Sequence, residues 1–304
     1  MTEKFSEKEI IIDFLSGCSV EVTPSGAKKT ENFQDHLALG TDVYVTFLPG
    51  SDFADTMETV ARLKDEGMHP IPHIAARSIP DRMYLENTLR DLRDQTGVSE
   101  ALLIGGGVND PVGDYDSSMQ VLETGLFEKY GFSTIGVAGH PEGCPDIPAT
   151  DVALALHQKN IFAKSSGINL YLATQFCFEA DPIIEWERSV REAGNELPIH
   201  IGIPGLATIK TLIRHAQACG IGNSMRVLTR QARNITKLLT TRMPDKLLRD
   251  LAIHKAKNPT CQIAQCHLYP LGGLRKSALW MNAVLDGEFT LNKKGGFDPN
   301  IDLS

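Results

Sequence analysis

The chain has 304 residues, of which 42% are hydrophobic, and it carries a formal net charge of −8. A chain of this length can bury a large core, in one large α/β domain or in two smaller ones. The negative charge argues against a nucleic-acid-binding protein, which needs basic patches to neutralise phosphates. No apolar run approaches the roughly 20 residues that span a bilayer, so we expect no membrane segment.

The N-terminal stretch and the cysteines indicate the compartment. Residues 1–17 mix acidic and basic side chains ahead of a short apolar run, which is not the pattern of a signal peptide. The six cysteines are scattered and form no CxxC pair, so we predict a reduced, cytoplasmic protein. No group of histidine, cysteine and acidic residues has the spacing of metal ligands, and we predict no metal site.

Eight short β-type runs recur along the chain, with helix-like segments between them. The runs are residues 17–24, 42–49, 69–77, 101–106, 133–141, 169–176, 197–204 and 263–271. Residues 52–67 and 80–97 carry apolar side chains at helical spacing, and each segment ends on a glycine suited to a left-handed cap. Strands that alternate with helices predict a parallel sheet, and eight such units predict a (β/α)8 barrel of the TIM type rather than an open doubly wound sheet.

We expect one barrel domain over residues 1–304, with two irregular parts. Residues from about 206 to 256 are typical of extra helices before the last strand. The tail, from about residue 286 to 304, has no periodicity and is predicted to be irregular. Both parts offer contact surface, so a homo-oligomer is a reasonable expectation.

The fourth run ends in Gly105, Gly106 and Gly107, ahead of a loop that carries Asp110. Three glycines after a buried strand suggest a phosphate-binding loop. However, residues 105–110 have the sequence GGGVND, which is not GxGxxG, and the chain contains neither GxxxxGK[ST] nor GxSxG. In a barrel these glycines instead lie at the rim formed by the C-terminal strand ends.

The chemistry of such a barrel is located at those strand ends, where the βα loops converge. Glu21 lies in the first run and shares the parity of Ser19 and Thr23. It is either a solvated or paired acid, or an acid at the barrel mouth whose pKa is raised by desolvation into the range of a general acid.

Thr46, His73, His140 and Gln175 stand near the ends of the second, third, fifth and sixth runs. Each alone is more often a structural hydrogen-bonding residue. Together they place hydroxyl, imidazole and amide groups along one rim.

These strand ends, in this order, resemble the methylenetetrahydrofolate reductase family. The matching stretches are SVEVTP, VYVTFLPG, PIPHIAAR, VAGHPEGCP and LATQFCFE, and the order holds from about residue 15 to residue 285. The family has a (β/α)8 barrel, which agrees with the count of eight runs. The resemblance implies an oxidoreductase that interconverts 5,10-methylenetetrahydrofolate and 5-methyltetrahydrofolate with NAD(P)H, normally through bound FAD.

The resemblance also assigns roles to residues. It implies that Glu21 protonates the folate, so that the five-membered ring opens to an iminium, and that Gln175 contacts the pterin and the nicotinamide in turn. It places Gly107, Thr211 and Arg275 at further folate-contacting positions. The positions that it places at the cofactors are Thr46, Phe47, His73, Gly105, Gly106, Gly107, Tyr115, His140, His157, Asn160, Lys164 and His215.

Several of these positions depart from the family pattern. The family's fourth strand usually ends in Arg-Gly-Asp or Ala-Gly-Asp, with the aspartate close to the flavin, and this chain has Gly107 there. His140 stands in place of an aromatic residue, His157 in place of an aspartate, and His215 in place of the aromatic that stacks on the nicotinamide. Asn160 and Lys164 either bind the ribityl-phosphate arm of the flavin or form a solvated helix face.

Alternatives therefore stay open. The hydride passes either through FAD or directly from NAD(P)H to the folate, in the reductive or the oxidative direction. Two other classes fit the same resemblance: a folate-dependent methyl-transfer barrel without redox chemistry, and an inactive folate- or flavin-binding regulatory protein. No basic cluster awaits a 2′-phosphate, so NADH and NADPH are not distinguished.

Overall fold

The computed structural model of the protein describes residues 5–218 and 241–303. Its helices are α1 (Glu7–Leu15), α2 (Pro24–Ala27), α3 (Phe53–Asp65), α4 (Arg82–Thr96), α5 (Ser118–Leu122), α6 (Leu126–Lys129), α7 (Ala149–Ser165), α8 (Ala180–Glu192), α9 (Ile209–Ala218), α10 (Asp245–Lys257) and α11 (Leu274–Leu285). Local sequence sets their ends: Ser6 and Glu9 form a capping box on α1, and Gly97 ends α4 at a φ of 69°. None of the helices in the described part of the chain is long and apolar enough to cross a membrane.

Eight parallel strands close a barrel in the order β1-β10-β7-β6-β5-β4-β3-β2. They are β1 (Ser19–Val22), β2 (Asp42–Val45), β3 (His69–Ala75), β4 (Glu100–Ile104), β5 (Thr134–Gly139), β6 (Asn169–Phe176), β7 (Ile199–Pro204) and β10 (Ile263–Tyr269), while β8 (Ala207–Thr208) and β9 (Thr241–Arg242) form a separate short ladder. Each predicted run supplies one barrel strand. The predicted (β/α)8 barrel is therefore confirmed.

The chain divides into two compact units. The first unit consists of Val20–Gly139 and Ala153–Ala173. The second unit consists of the described parts of Met1–Ser19, His140–Val152 and Thr174–Ser304. Strands β1 and β6 each contribute residues to both units. The expectation of a single domain stays a prediction.

Strand register in the first unit sets which side chains are neighbours. Glu21 of β1 lies beside Tyr44 of β2, and His73 of β3 lies beside Leu102 of β4. Because side chains alternate along a strand, Tyr44 and the following Thr46 point to the same side. A buried cluster forms on that side, consisting of Tyr44, Ile71, Leu102, Tyr171 and Ala173.

The predicted helical insert is described in part. α9 and nearly all of α10 lie within it, whereas residues 219–240, with Cys219, lie outside the described residues.

The tail is more regular than predicted. β11 (Phe289–Leu291) pairs antiparallel with β12 (Phe297–Pro299), and Phe297 stacks on Trp280 with ring centroids 6.2 Å apart. The strands are only three residues long, which is too short for a periodicity signal. The burial of Phe289 and Phe297 attaches the tail to α11.

Candidate active site

Three side chains from neighbouring strands meet in the first unit, and we call Glu21, Thr46 and His73 the acid cluster. The Thr46 hydroxyl donates a hydrogen bond of 2.5 Å to Glu21 Oε1. His73 Nε2 lies 3.8 Å from Glu21 Oε2, and the two side chains are only 7% and 14% exposed. The Thr46 N–H also donates to the carbonyl of Val22, which extends the β1–β2 pairing one residue beyond Val45.

The acid cluster has the features of a proton-transfer site. Its carboxyl group is mostly buried, one of its oxygens accepts a hydroxyl hydrogen bond, and an imidazole faces the other. A carboxyl fixed in this way can transfer a proton to a bound substrate along a defined direction. The structure therefore brings together three of the predicted residues, each supplied by a different strand.

Two tyrosines that the sequence analysis did not select lie beside the acid cluster. The hydroxyl oxygens of Tyr44 and Tyr171 are 2.6 Å apart in the barrel core. Burial raises the pKa of both phenols, so both stay protonated at neutral pH. The parity shared by Asp42, Tyr44 and Thr46 was the signal that could have identified Tyr44.

The glycine loop, Gly105–Gly107, follows β4 in the same unit. Gly106 has a φ of 98°, and a Cβ there would lie 3.1 Å from Ala75 Cβ. A Cβ at Gly107 would meet only Pro49 Cγ, at 3.7 Å, and a Cβ at Gly105 would have no neighbour within 4 Å. The loop thus has room for a side chain at its two outer positions, and its central position requires glycine.

The two aromatic residues predicted near the cofactors, Phe47 and Tyr115, differ in burial. Tyr115 is buried, and desolvation raises the pKa of its phenol. The Phe47 ring lies 6.0 Å from that of Phe53, and both line an apolar cavity together with Tyr84.

The predicted residues of α7 have different environments. His157 and Lys164 are exposed, whereas Asn160 is buried and its Nδ2 donates to the Leu156 carbonyl at 2.9 Å. Lys159, which the sequence analysis missed, is also buried, and desolvation lowers the pKa of its ammonium group to about 8. Helical spacing did not identify it, because the rest of the helix has no strong apolar stripe.

In the second unit, Gln175 stands near the end of β6, where β7 approaches closely. A Cβ at Gly202 would lie 2.6 Å from the carbonyl oxygens of both Thr174 and Gln175. The Tyr269 hydroxyl donates to the same Thr174 carbonyl at 2.8 Å. These contacts fix the backbone that carries Gln175.

The turn after β5 contacts the residues that follow Gln175. His140 begins this turn, with its carbonyl accepting from the Gly143 N–H at 3.1 Å. The pKa of the Cys177 thiol is raised, mainly by burial and further by the charge of Glu142 and a hydrogen bond to it. Glu142 and Cys177 were not among the predicted site residues, although both lie in the quoted motifs.

The remaining predicted residues lie on helices of the second unit. Thr211 is in α9, with its N–H bonded to the Thr208 hydroxyl oxygen at 3.2 Å. Burial, and then the charge of Arg214, lower the pKa of His215, which is therefore neutral at pH 7. Arg275 is exposed in the first turn of α11.

One group of potential metal ligands occurs among the described residues. Ligand atoms of Glu187, His254 and Cys261 lie within 4.8 Å of one another. Glu187 Oε1 already accepts from Arg191 Nε at 3.0 Å and from the Gln262 N–H at 3.1 Å. Through these contacts the buried Glu187 carboxylate connects α8 to Gln262, the residue just before β10. The absence of a metal site stays a prediction.

Comparison with known proteins shows which family and which structures the chain is similar to. A family model described as methylenetetrahydrofolate reductase matches residues 18–232. The chain is 38% identical to methylenetetrahydrofolate reductase 2 of Saccharomyces cerevisiae over 90 residues, which is 29% of this chain and only 15% of that longer protein. An uncharacterized protein from Clostridium thermocellum that binds two copies of 5-methyl-5,6,7,8-tetrahydrofolic acid is similar in structure, with a TM-score of 0.56 and 14% identity over 92% of this chain and 96% of that one. At that identity the likeness supports the fold.

Proposed function

The chain belongs to the methylenetetrahydrofolate reductase family, and on that premise we propose that it interconverts 5,10-methylenetetrahydrofolate and 5-methyltetrahydrofolate with NAD(P)H. The observation that carries the proposal is the acid cluster, in which Glu21 is held by Thr46 at 2.5 Å and faced by His73 at 3.8 Å. The structural neighbour that binds 5-methyltetrahydrofolate supports a folate as the substrate.

In the reductive direction the proposed role of Glu21 is to donate a proton. The folate ring nitrogen accepts it, the five-membered ring opens, and the resulting iminium carbon accepts a hydride that originates from NAD(P)H. Glu21 is left as a carboxylate, which the Thr46 hydroxyl stabilises by a charge-assisted hydrogen bond, until solvent returns a proton. The oxidative direction uses the same groups in reverse.

Gln175 is proposed to orient the pterin. Its amide offers a donor and an acceptor side by side, which matches the edge of a pterin ring. The close approach of Gly202 to its backbone limits the freedom of this strand, so the amide is presented from a fixed position.

The residues that would hold FAD fit it only in part. Gly107 supplies no acid, His157 and Lys164 are exposed, and the Asn160 amide donates to its own helix. We therefore derive no step through a flavin, and direct transfer from NAD(P)H stays open beside the family's flavin chemistry.

The test is a visible spectrum and a nicotinamide-oxidation assay on one preparation of the purified chain. Oxidation of NADH or NADPH that depends on 5,10-methylenetetrahydrofolate and yields 5-methyltetrahydrofolate is the expected result. A flavin band in the active protein establishes FAD, whereas colourless active protein establishes direct transfer. Folate binding without any nicotinamide turnover in either direction would overturn the proposal.

Gly107→Asp extends this test. The open space at Gly107 accepts the side chain, so we expect the variant to fold. If the missing acid is what weakens flavin binding, the variant retains more FAD after reconstitution than the unaltered chain does.

One alternative has an observation in its favour. The structural neighbour binds two copies of a methylated folate, which fits a folate-binding or methyl-transfer barrel without redox chemistry. Such a protein would keep its function in Glu21→Gln.

We further propose a cytoplasmic location, because the described cysteines are free thiols.

A further inference from the structure

The barrel core contains a chain of polar groups that ends at the acid cluster. Tyr44 and Tyr171 are 1% and 3% exposed, and their hydroxyl oxygens lie 2.6 Å apart among Ile71, Leu102 and Ala173. Two phenylalanines would fill similar space without the cost of burying two hydroxyl groups. The hydroxyl pair therefore calls for an explanation other than packing.

A glycine makes room for this pair. A Cβ at Gly136 of β5 would lie 2.6 Å from Cζ of Tyr171 and 2.7 Å from its hydroxyl oxygen. No side chain fits at that position while the Tyr171 ring keeps its place. The ring is thus held against the backbone of β5 on one side and against Tyr44 on the other.

Below the pair, polar groups at the N-terminal ends of the strands fix Tyr171. Tyr171 shares a hydrogen bond with Glu100, and burial raises the pKa of that carboxyl, which favours its protonated form. Glu100 Oε2 lies 4.0 Å from His69 Nε2, and His69 Nδ1 lies 2.7 Å from Asp42 Oδ1. The Tyr171–Glu100 and His69–Asp42 hydrogen bonds, with the charge contact between Glu100 and His69, strengthen one another in a low dielectric and fix these groups in place.

Above the pair, Tyr44 contacts the acid cluster. The Tyr44 ring meets the His73 ring edge to face, with centroids 6.1 Å apart and planes at 85°. His73 Nε2 in turn lies 3.8 Å from Glu21 Oε2. The position of the Tyr44 ring therefore limits where the His73 imidazole can lie. His73 is the group that faces Glu21, so the Tyr44 ring also influences the surroundings of that carboxyl.

We propose that Tyr171 is a positioning residue, which acts through Tyr44 and His73 to hold the Glu21 carboxyl in its working position. The inference rests on the proposed role of Glu21 as the acid. It goes beyond that role, because it assigns a function to a buried hydroxyl group outside the acid cluster.

The test is Tyr171→Phe, which removes the hydroxyl and keeps the ring. We expect kcat for folate reduction to fall about tenfold, since small misplacements of a catalytic group are costly, while KM for the folate stays within about twofold. The pH at which activity is lost as Glu21 deprotonates should also shift. Gly136→Ala should reproduce this pattern, because its Cβ displaces the same ring. The control is Tyr130→Phe, which removes a hydroxyl bonded to Glu86 outside this group of residues. It should change neither kcat nor the pH profile.

A second measurement does not depend on turnover. Carbon-13 NMR of the glutamate carboxyls, with the Glu21 signal assigned by its loss in Glu21→Gln, gives the titration of Glu21 directly. We expect Tyr171→Phe to move it by roughly half a pH unit or more. An unchanged titration and an unchanged pH profile would overturn the proposal, even if kcat fell. If the unaltered chain shows no reductase activity, the proposed function fails, and the NMR titration still decides the positioning role.

Discussion

The acid cluster on β1 to β3 and the glycine loop after β4 both belong to the first unit, and they differ in how they are built. Glu21 accepts a hydrogen bond from Thr46 and faces His73, and the Glu21 and His73 side chains are mostly buried. The glycine loop offers no side chain and leaves open space at Gly105 and Gly107. The side chains of the acid cluster are therefore held in place by their neighbours, whereas the glycine loop leaves unfilled space at its two outer positions.

The difference separates the two halves of the proposed reaction. Proton transfer to the folate depends on a carboxyl whose position matches the family pattern. Flavin binding, as the family resemblance implies it, depends on positions where this chain has Gly107 and the exposed His157 and Lys164. The folate chemistry can therefore persist while the route of the hydride changes.

The largest expected effect comes from breaking the acid cluster at Glu21. Glu21→Gln keeps the size of the side chain and removes its acidic proton, so we expect kcat to fall about 10²- to 10⁴-fold. Folate affinity, measured by calorimetry, should stay within a few-fold. Turnover close to that of the unaltered chain would contradict the assigned role of Glu21.

A smaller loss is expected from Thr46→Val, which preserves shape and removes the hydrogen bond to Glu21 Oε1. Bonds to charged groups contribute about 1.5–3 kcal/mol, which corresponds to a roughly tenfold or greater fall in kcat. Steady-state kinetics across pH measures it. Thr46→Ser, which keeps the hydroxyl, should recover most of the activity, and failure of that rescue would point to packing instead.

The glycine loop is tested through stability. Gly106→Ala places a side chain at a φ of 98° and close to Ala75, so we expect the free energy of unfolding to fall by about 1–3 kcal/mol. Gly105→Ala, with no neighbour within 4 Å, should change it by less than about 0.5 kcal/mol. Urea denaturation compares the two, and equal effects would show that the loop differs from this description.

The smallest effect concerns pH. The hydrogen bond that His69 Nδ1 donates to Asp42, and then the charge of Asp42, raise the pKa of His69 against the opposing effect of burial. Because the folded pKa lies above the unfolded value of about 6.5, the extra stability is complete below that pH and disappears as pH rises through the folded value. Its size should be below about 1 kcal/mol, since the His69 side chain is 37% exposed and screened by solvent.

A double-mutant cycle with Asp42→Asn and His69→Gln measures this coupling. The coupling energy should be present near pH 6 and absent near pH 9. A coupling that grows with pH would have the wrong sign.

The sequence predicted the barrel strands well, because parallel strands alternate with helices and each run is bounded by turn residues. It also selected Glu21, Thr46 and His73 one by one, but their association as one cluster follows only from the pairing of β1, β2 and β3. Register leaves little freedom to such side chains.

Residues on helices and in deep layers were harder to predict. The exposure of His157 and the burial of Lys159 depend on how α7 is rotated against its neighbours, which a helix without a clear apolar stripe does not reveal. Tyr44 and Tyr171 are 127 residues apart in the chain, and only the closed sheet brings their hydroxyls together. The tail was missed because its two strands are short.

The missing Cβ at Gly202 has a consequence for the redesign of ligand preference. Because a Cβ at Gly202 would lie only 2.6 Å from the carbonyl oxygens of Thr174 and Gln175, any side chain there would force β6 and β7 apart. Selection for a new substrate on this scaffold should therefore yield exchanges of the Gln175 side chain or of the surrounding loops, and it should leave Gly202 unchanged.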